Sequence, residues 1–418
     1  MDKEKVHTDQ KIKLLFRHRS MEMGGVEKVM LSLLNHLNKE KFQITVLLNL
    51  NQGELRDEIP DQVRKVFLAE GKEDFSKNFL IRKLQLFLRK RKLNKFRENP
   101  KIIDQQILKE NFDIEIGMTY NDFEAVLNST NKNSKKVGWF HSEIHLPKLQ
   151  PLVPKILEHF PQFDYMVYCS KRIKDLMHEH YPNLDYPKES VIINAVPIEE
   201  IKRKAQLEGS GEMKKRSSIK PELAEVHAEN FSEAKSESKI PQFISIGRLH
   251  SRKGYHKLMA AHAKLLQDGF AHSVLIIGDG EELPNLLEQR KKLGVEKTFV
   301  FAGNKMNPYP YLKNSDFFIM PSESEAWPLV IAEALILQKP IIATKVGDVE
   351  TLIAHRKTGY LIPYETDEMY SAMKEFLTNG KLVSEIRENL VGIEKQFDNK
   401  KIFEEIEKIF FNLVQSKI

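Results

Sequence analysis

The chain has 418 residues, 41% of them hydrophobic and 30% charged, with one cysteine, Cys169. That length exceeds one ordinary core and suits two domains. There is no run of 18 apolar residues for a membrane span, and one cysteine excludes an intrachain disulfide, which fits a reducing compartment. The net charge of +6 is uneven: residues 1–198 hold 33 Lys and Arg against 27 Asp and Glu, and the remainder holds 32 of each.

The opening MDKEKVHTDQ lacks the charged, apolar and small-residue succession of a secretory leader, so a cytoplasmic location is expected. IKLLF (12–16) predicts a buried strand, Gly24 and Gly25 a loop, VEKVMLSLLNHL (26–37) a helix and FQITVLLNL (42–50) a second strand. LIRKLQLFLRKRKLNKFR (80–97) carries Arg82, Lys83, Arg89, Lys90, Arg91, Lys92, Lys95 and Arg97, with Leu80, Leu84, Phe87 and Leu88 on one helical face. Such a helix either meets an anionic membrane surface or packs its stripe on the domain core. Nucleic acid is not an expected partner, because aromatic residues are not interleaved with the cations as a stacking platform. Further strands are expected at FDIEIGM (112–118), KKVGWF (135–140), FDYMVYCS (163–170) and SVIIN (190–194).

Residues 201–239 are rich in Lys, Glu and Ser and can bury little, so 199–240 is assigned as a charged linker or insertion. The pattern then restarts with QFISIG (242–247), SVLIIGDG (273–280), TFVFAG (298–303), DFFIMPS (316–322) and PIIATKVG (340–347). Alternating strands and helix-length segments predict an α/β protein of two doubly wound parallel-sheet domains, 1–198 and 241–398. In the closing IFEEIEKIFFNLV (402–414), Ile402, Phe403, Ile406, Ile409, Phe410 and Leu413 recur at helical spacing.

Chemistry concentrates at strand ends. After Gly247, Arg248 and Lys253 stand before a helix, where two cations beside an amide-rich helix start suit a diphosphate; a plain solvated loop is the competing reading. In SESEAWPLVIAEAL (322–335), Pro328 suits the first helical position, and the amides of Leu329 and Val330 offer a second anion site. Glu325 and Glu333 flank those amides and could accept hydrogen bonds from sugar hydroxyls, or be merely solvated and salt-bridged. His141 follows the strand KKVGWF, where α/β sheets bind ligands, although a lone histidine is more often structural. Gly24 and Gly25 would let backbone approach a ligand closely.

As a set, these motifs resemble the retaining glycosyltransferases of family four, with the GT-B fold: two Rossmann-like domains facing across a cleft. The resemblance rests on GGVEKV, SIGRLHSRKG and SESEAWPLVIAEALILQKPIIATKVGDVETLIAHRKTGYLI. It implies that Arg248 and Lys253 hold the donor diphosphate, that Glu333 binds ribose, and that Glu325 contacts the transferred sugar among the amides of Trp327, Leu329 and Val330. It further implies that His141 faces that sugar, that Gly24, Gly25 and Gly247 line the donor site, and that the helix at 400–416 packs back on the first domain. Ala326, Trp327, Lys339 and Asp348 depart from the family's usual residues.

The implied reaction is retaining transfer of a sugar, commonly a hexose, from a nucleotide diphosphate to an acceptor hydroxyl. A UDP-sugar is favoured over a GDP-sugar, no metal or other cofactor is expected, and no D-x-D motif is present. The acceptor expected is a saccharide or lipid-linked saccharide of bacterial cell-surface polysaccharide synthesis, with the protein peripheral at the inner face of the plasma membrane. The alternatives are a nucleotide-sugar epimerase on the same fold and a non-catalytic binding module.

Overall fold

The computed structural model describes residues 11–207 and 240–415. The chain divides into two compact units, Met1–Ala195 with Asp398–Ile418, and Val196–Phe397.

The first unit runs β1 (Ile12–His18), α1 (Gly25–His36), β2 (Phe42–Asn51), β3 (Arg64–Glu70), α2 (Phe79–Glu98), β4 (Ile114–Gly117), α3 (Tyr120–Leu127), β5 (Lys135–Phe140), α4 (Val153–His159), β6 (Tyr165–Tyr168), α5 (Lys171–His180) and β7 (Lys188–Val191). Its seven-stranded sheet has the order β3-β2-β1-β4-β5-β6-β7, and every pair is parallel. β1 explains why: Leu14, Leu15 and Phe16 are consecutive and all fully buried, so both of its faces are covered.

The second unit runs α6 (Ile198–Gln206), β8 (Gln242–Ile246), α7 (Tyr255–Gln267), β9 (Ser273–Ile277), α8 (Leu283–Lys292), β10 (Phe299–Phe301), α9 (Tyr309–Asn314), β11 (Phe317–Met320), α10 (Leu329–Ile336), β12 (Ile341–Thr344), α11 (Val349–Leu352), β13 (Tyr360–Ile362), α12 (Thr366–Thr378) and α13 (Gly380–Asn389). Its six-stranded, all-parallel sheet has the order β10-β9-β8-β11-β12-β13. In both sheets the order reverses once, between β1 and β4 and between β8 and β11. Such switch points open a crevice at the carboxyl ends of the strands, where doubly wound sheets bind ligands.

α14 (Asn399–Gln415) belongs to the first unit and buries Ile402, Phe403, Ile406, Phe410 and Leu413. Phe410 meets Phe42 edge-on at 6.0 Å, and Phe403 stacks on His36 at 5.0 Å. Glu407 accepts from the Asn38 amide at 3.0 Å and pairs with Lys41 at 2.9 Å.

Two differences from the sequence reading have physical causes. β3 and β13 were not expected; both are sheet edges, β3 with charged ends and β13 only three residues long. The assigned linker begins as α6, whose Ile201 and Ala205 are buried in the second unit, and its stretch 208–239 lies outside the described residues. Of the two readings offered for the helix at 80–97, packing of its stripe on the domain core fails: Leu80, Leu84, Phe87 and Leu88 are all exposed. Among the described residues, no helix is long and apolar enough to cross a membrane.

Candidate functional site

In the second unit, two loops meet at the switch point. After β8 come Gly247 and Arg248, a short turn Ser251–Lys253, and Gly254 at φ 69°, which starts α7. A side chain on Gly254 would strike the carbonyl oxygen of Pro321, so this turn lies directly against the end of β11. The Glu323 amide donates to the Arg252 carbonyl at 2.7 Å, stitching the loops together.

Across that seam, Lys253 Nζ meets Glu325 Oε1 at 2.5 Å, and Ser322 Oγ donates to the same oxygen at 2.7 Å. Burial by itself would raise the Glu325 carboxyl; the Lys253 charge and the hydrogen bonds from Lys253 and Ser322 outweigh it and hold the group below its ordinary range. Glu325 is therefore a fixed, ionised acceptor. Lys253 spends one of its three N–H groups on it. Gly247 packs close by, with Lys253 Cε 3.6 Å from where its Cβ would lie. Arg248 is more exposed and is tethered to Glu281 at 3.2 Å.

The loop carrying Glu325 is clamped from behind. Gly347, at φ 56°, sits where any side chain would collide with the carbonyls of Glu325 and Ala326, and the Asp348 amide donates to Ala326 at 2.9 Å. Trp327 is buried with its ring edge-on to Phe397 at 6.5 Å, so its side chain anchors the loop, and only its backbone is left to meet a ligand. Pro328 is the N-cap of α10 and not its first helical residue, a correction of one position. Leu329 and Val330 occupy the first two helical positions. Glu333 follows one turn on, buried, and accepts a hydrogen bond from the Tyr309 hydroxyl at 3.2 Å. Lys253, Glu325, Gly247 and the α10 start thus share one strand-end site, with Arg248 at its rim.

His141, Gly24 and Gly25 belong to the other unit. There His18, at the end of β1, puts Nδ1 2.9 Å from Asp122 Oδ2 and Nε2 3.3 Å from Glu27 Oε1. Burial pushes this imidazole down, but Asp122 and then Glu27 override it and hold it up at about 10, so it carries a charge at neutral pH. His141 behaves oppositely: burial, then the nearby His18 cation, push it down to about 3. Its Nε2 is buried and, among the described residues, meets no hydrogen-bond partner. Neither Gly24 nor Gly25 has positive φ; Gly24 instead leaves the room that the Glu27 carboxyl occupies.

Sequence reasoning did not assign His18, Asp122, Ser322 or Tyr309. A signal existed for the first two: a histidine closing an apolar strand, and Thr119 three residues before Asp122, which form a capping box at the start of α3. Ser322 also had a local signal, standing three residues before Glu325, to which it donates, whereas Tyr309 had none, since its partner Glu333 is 24 residues away.

Two family models match in succession: Glycosyltransferase Family 4 over residues 23–200 and Glycosyl transferases group 1 over residues 227–391. The chain belongs to the group 1 glycosyltransferases. The Bacillus anthracis N-acetyl-alpha-D-glucosaminyl L-malate synthase is 28% identical over 177 residues, 41% of this chain and 45% of that protein. A Campylobacter jejuni N-acetylgalactosaminyltransferase, acting by its name on an N-acetylgalactosamine-N,N'-diacetylbacillosaminyl-diphospho-undecaprenol, is 26% identical over 248 residues, 57% of this chain and 64% of that protein. The chain spans about half the length of the first of these curated relatives. The crystal structure of Anabaena HepE with UDP-glucose matches at a TM-score of 0.68 and 17% identity, covering 96% of this glycosyltransferase and 100% of HepE, which shows the shared GT-B fold.

Proposed function

We propose that the protein transfers a sugar, with retention, from a UDP-sugar to a hydroxyl of a lipid-linked saccharide in bacterial cell-surface polysaccharide synthesis, working peripherally at the cytoplasmic face of the membrane. The observation that carries this reading is the Lys253–Glu325 pair at the switch point, next to the α10 start. It sets a phosphate-binding cation beside a carboxylate able to accept sugar hydroxyls. HepE holding UDP-glucose supports the donor class, and the undecaprenol-linked acceptor in the name of the Campylobacter relative supports the acceptor class.

In this mechanism negative charge grows on the leaving diphosphate, and Lys253, Arg248 and the amides of Leu329 and Val330 are in place to meet it before the bond breaks. Glu333, steadied by Tyr309, takes the ribose hydroxyls, and Glu325 takes the hydroxyls of the transferred sugar. His141, in the first unit, is held neutral by burial and by the His18 cation. The leaving phosphate accepts the acceptor's proton on the same face of the sugar, which retains its configuration.

The test is incubation with UDP- and GDP-sugars, with and without lipid-linked saccharides. Acceptor-dependent UDP release, with an unchanged anomeric configuration in the product by NMR, is expected. Interconversion of nucleotide sugars without acceptor would establish the epimerase instead.

A further inference from the structure

We propose that α2 is a membrane-docking element that lies in the interface of an anionic lipid bilayer, seating Leu80, Ile81, Leu84, Phe87 and Leu88 among the acyl chains. This deepens the membrane location proposed above, yet vesicle binding is read without turnover, so it stands or falls independently of the transferred sugar.

The helix is attached the wrong way round for a water-facing surface helix. Its domain-facing row is Gln85, Arg89, Leu93 and Phe96, and the first half of that row is polar. Gln85 accepts from the Ser76 amide at 2.9 Å. Arg89 lies over the Phe75 ring at 5.1 Å and donates to the Glu70 carbonyl at 3.3 Å. The row becomes apolar only at Leu93 and Phe96, which join the core around Leu15, Leu47 and Leu68. The opposite row is apolar and bare: Leu80 is 73% exposed, Leu84 56%, Phe87 55% and Leu88 53%. A helix built to face water would be turned by half a revolution. The start is fixed even so, because the Asn78 side chain accepts from the amides of Leu80 and Ile81. The face is therefore preformed, and the helix need not order on binding.

Charge selects the occupant. From Phe79 to Arg97 there are eight cations and no acid. At 100° per residue, Lys83 and Lys90 flank the apolar arc on one side and Lys92 on the other, while Arg91 continues the arc into the next turn. Apolar residues rimmed by cations match acyl chains beneath anionic headgroups. A second copy of this chain would set like charges against each other.

The experiment is co-sedimentation of the full chain with vesicles of phosphatidylcholine alone and with added phosphatidylglycerol, at low and high salt, alongside its oligomeric state by analytical ultracentrifugation. Binding only to the anionic vesicles, weakened by salt, is expected. The quadruple variant Lys83→Glu, Lys90→Glu, Arg91→Glu, Lys92→Glu should lower the partition constant more than about 100-fold. Leu84→Ser with Phe87→Ser should lower it about 10-fold or more while salt sensitivity persists. All six positions are exposed, so unchanged thermal melting is expected, and Arg89 is spared because it fastens the helix. No binding, equal binding to both vesicle types, or a dimer abolished by Leu84→Ser with Phe87→Ser would overturn the proposal.

Discussion

At Lys253 one ammonium keeps Glu325 ionised and, in the proposed mechanism, presents its remaining N–H groups to phosphate. Lys253→Met should cut turnover by about 10²–10³-fold, the usual loss for one transition-state donor. It should also lower stability by about 1–3 kcal/mol, since a mostly buried carboxylate loses its cation. Adding Glu325→Gln should restore melting but not turnover; if it restored both, the pair would be structural only. His18 gives a residue-level effect of opposite sign to ordinary acid lability. Its folded value, about 10, lies above its ordinary 6.5, so its charge-pair stabilisation is complete below pH 6.5 and is lost as pH rises toward 10. Thermal melting of the first unit should therefore decline over that range, and His18→Gln should flatten the decline. A wild-type profile already flat across the window would refute the clamp by Asp122 and Glu27.

Among the elements, the strand-end loops owe their shape to glycines placed against backbone. Gly347→Ala would push a methyl group into the carbonyls of Glu325 and Ala326 at a positive φ. It should cost about 2 kcal/mol of stability and, by shifting Glu325, at least about 10-fold in kcat/KM; normal kinetics would show that the loop tolerates the displacement. The central strands were legible in the sequence because residues such as Leu14–Phe16 and Phe317–Met320 are continuous apolar runs, buried on both faces. β3 and β13 were not, because an edge strand needs less apolar surface and its pairing is set by the neighbouring strand. At the site, Glu325, Glu333 and Lys253 were legible from chain spacing. The partner Tyr309 and the inward anchoring of Trp327 on Phe397 were not, because they depend on which segments the fold brings together. The apolar stripe of α2 was equally plain; its outward orientation was not, being fixed by Phe75, Ser76 and Glu70 outside the helix.

Over the whole molecule, acid acts on both units. Burial pushes His141 in the first unit and His262 in the second each down to about 3, so protonating either opposes folding, and stability should fall as pH drops from 6.5 toward 3. Calorimetry should show two transitions moving down together; a single acid-sensitive transition would count against this pairing. Removing residues 399–418 should be drastic for the first unit alone. Five buried side chains of α14 are worth on the order of 10 kcal/mol, comparable with the entire stability of a domain. Limited proteolysis of the truncated chain should digest the first unit and leave 240–397 resistant; a protected first unit would disprove the dependence on α14.

That α14 completes the first unit also gives the two units different connectivity. Val196–Phe397 is one uninterrupted stretch, and its sheet closes without any segment from outside it. The first unit is discontinuous: the helix that covers Phe42 and His36 is joined to the rest of it only through the whole second unit. Seating it closes contacts such as Asn38–Glu407, 369 positions apart, a loop-closure cost that the second unit does not bear. On refolding from denaturant, amide protection in β8–β12 should therefore precede protection in β2 and α14; simultaneous protection would count against that order.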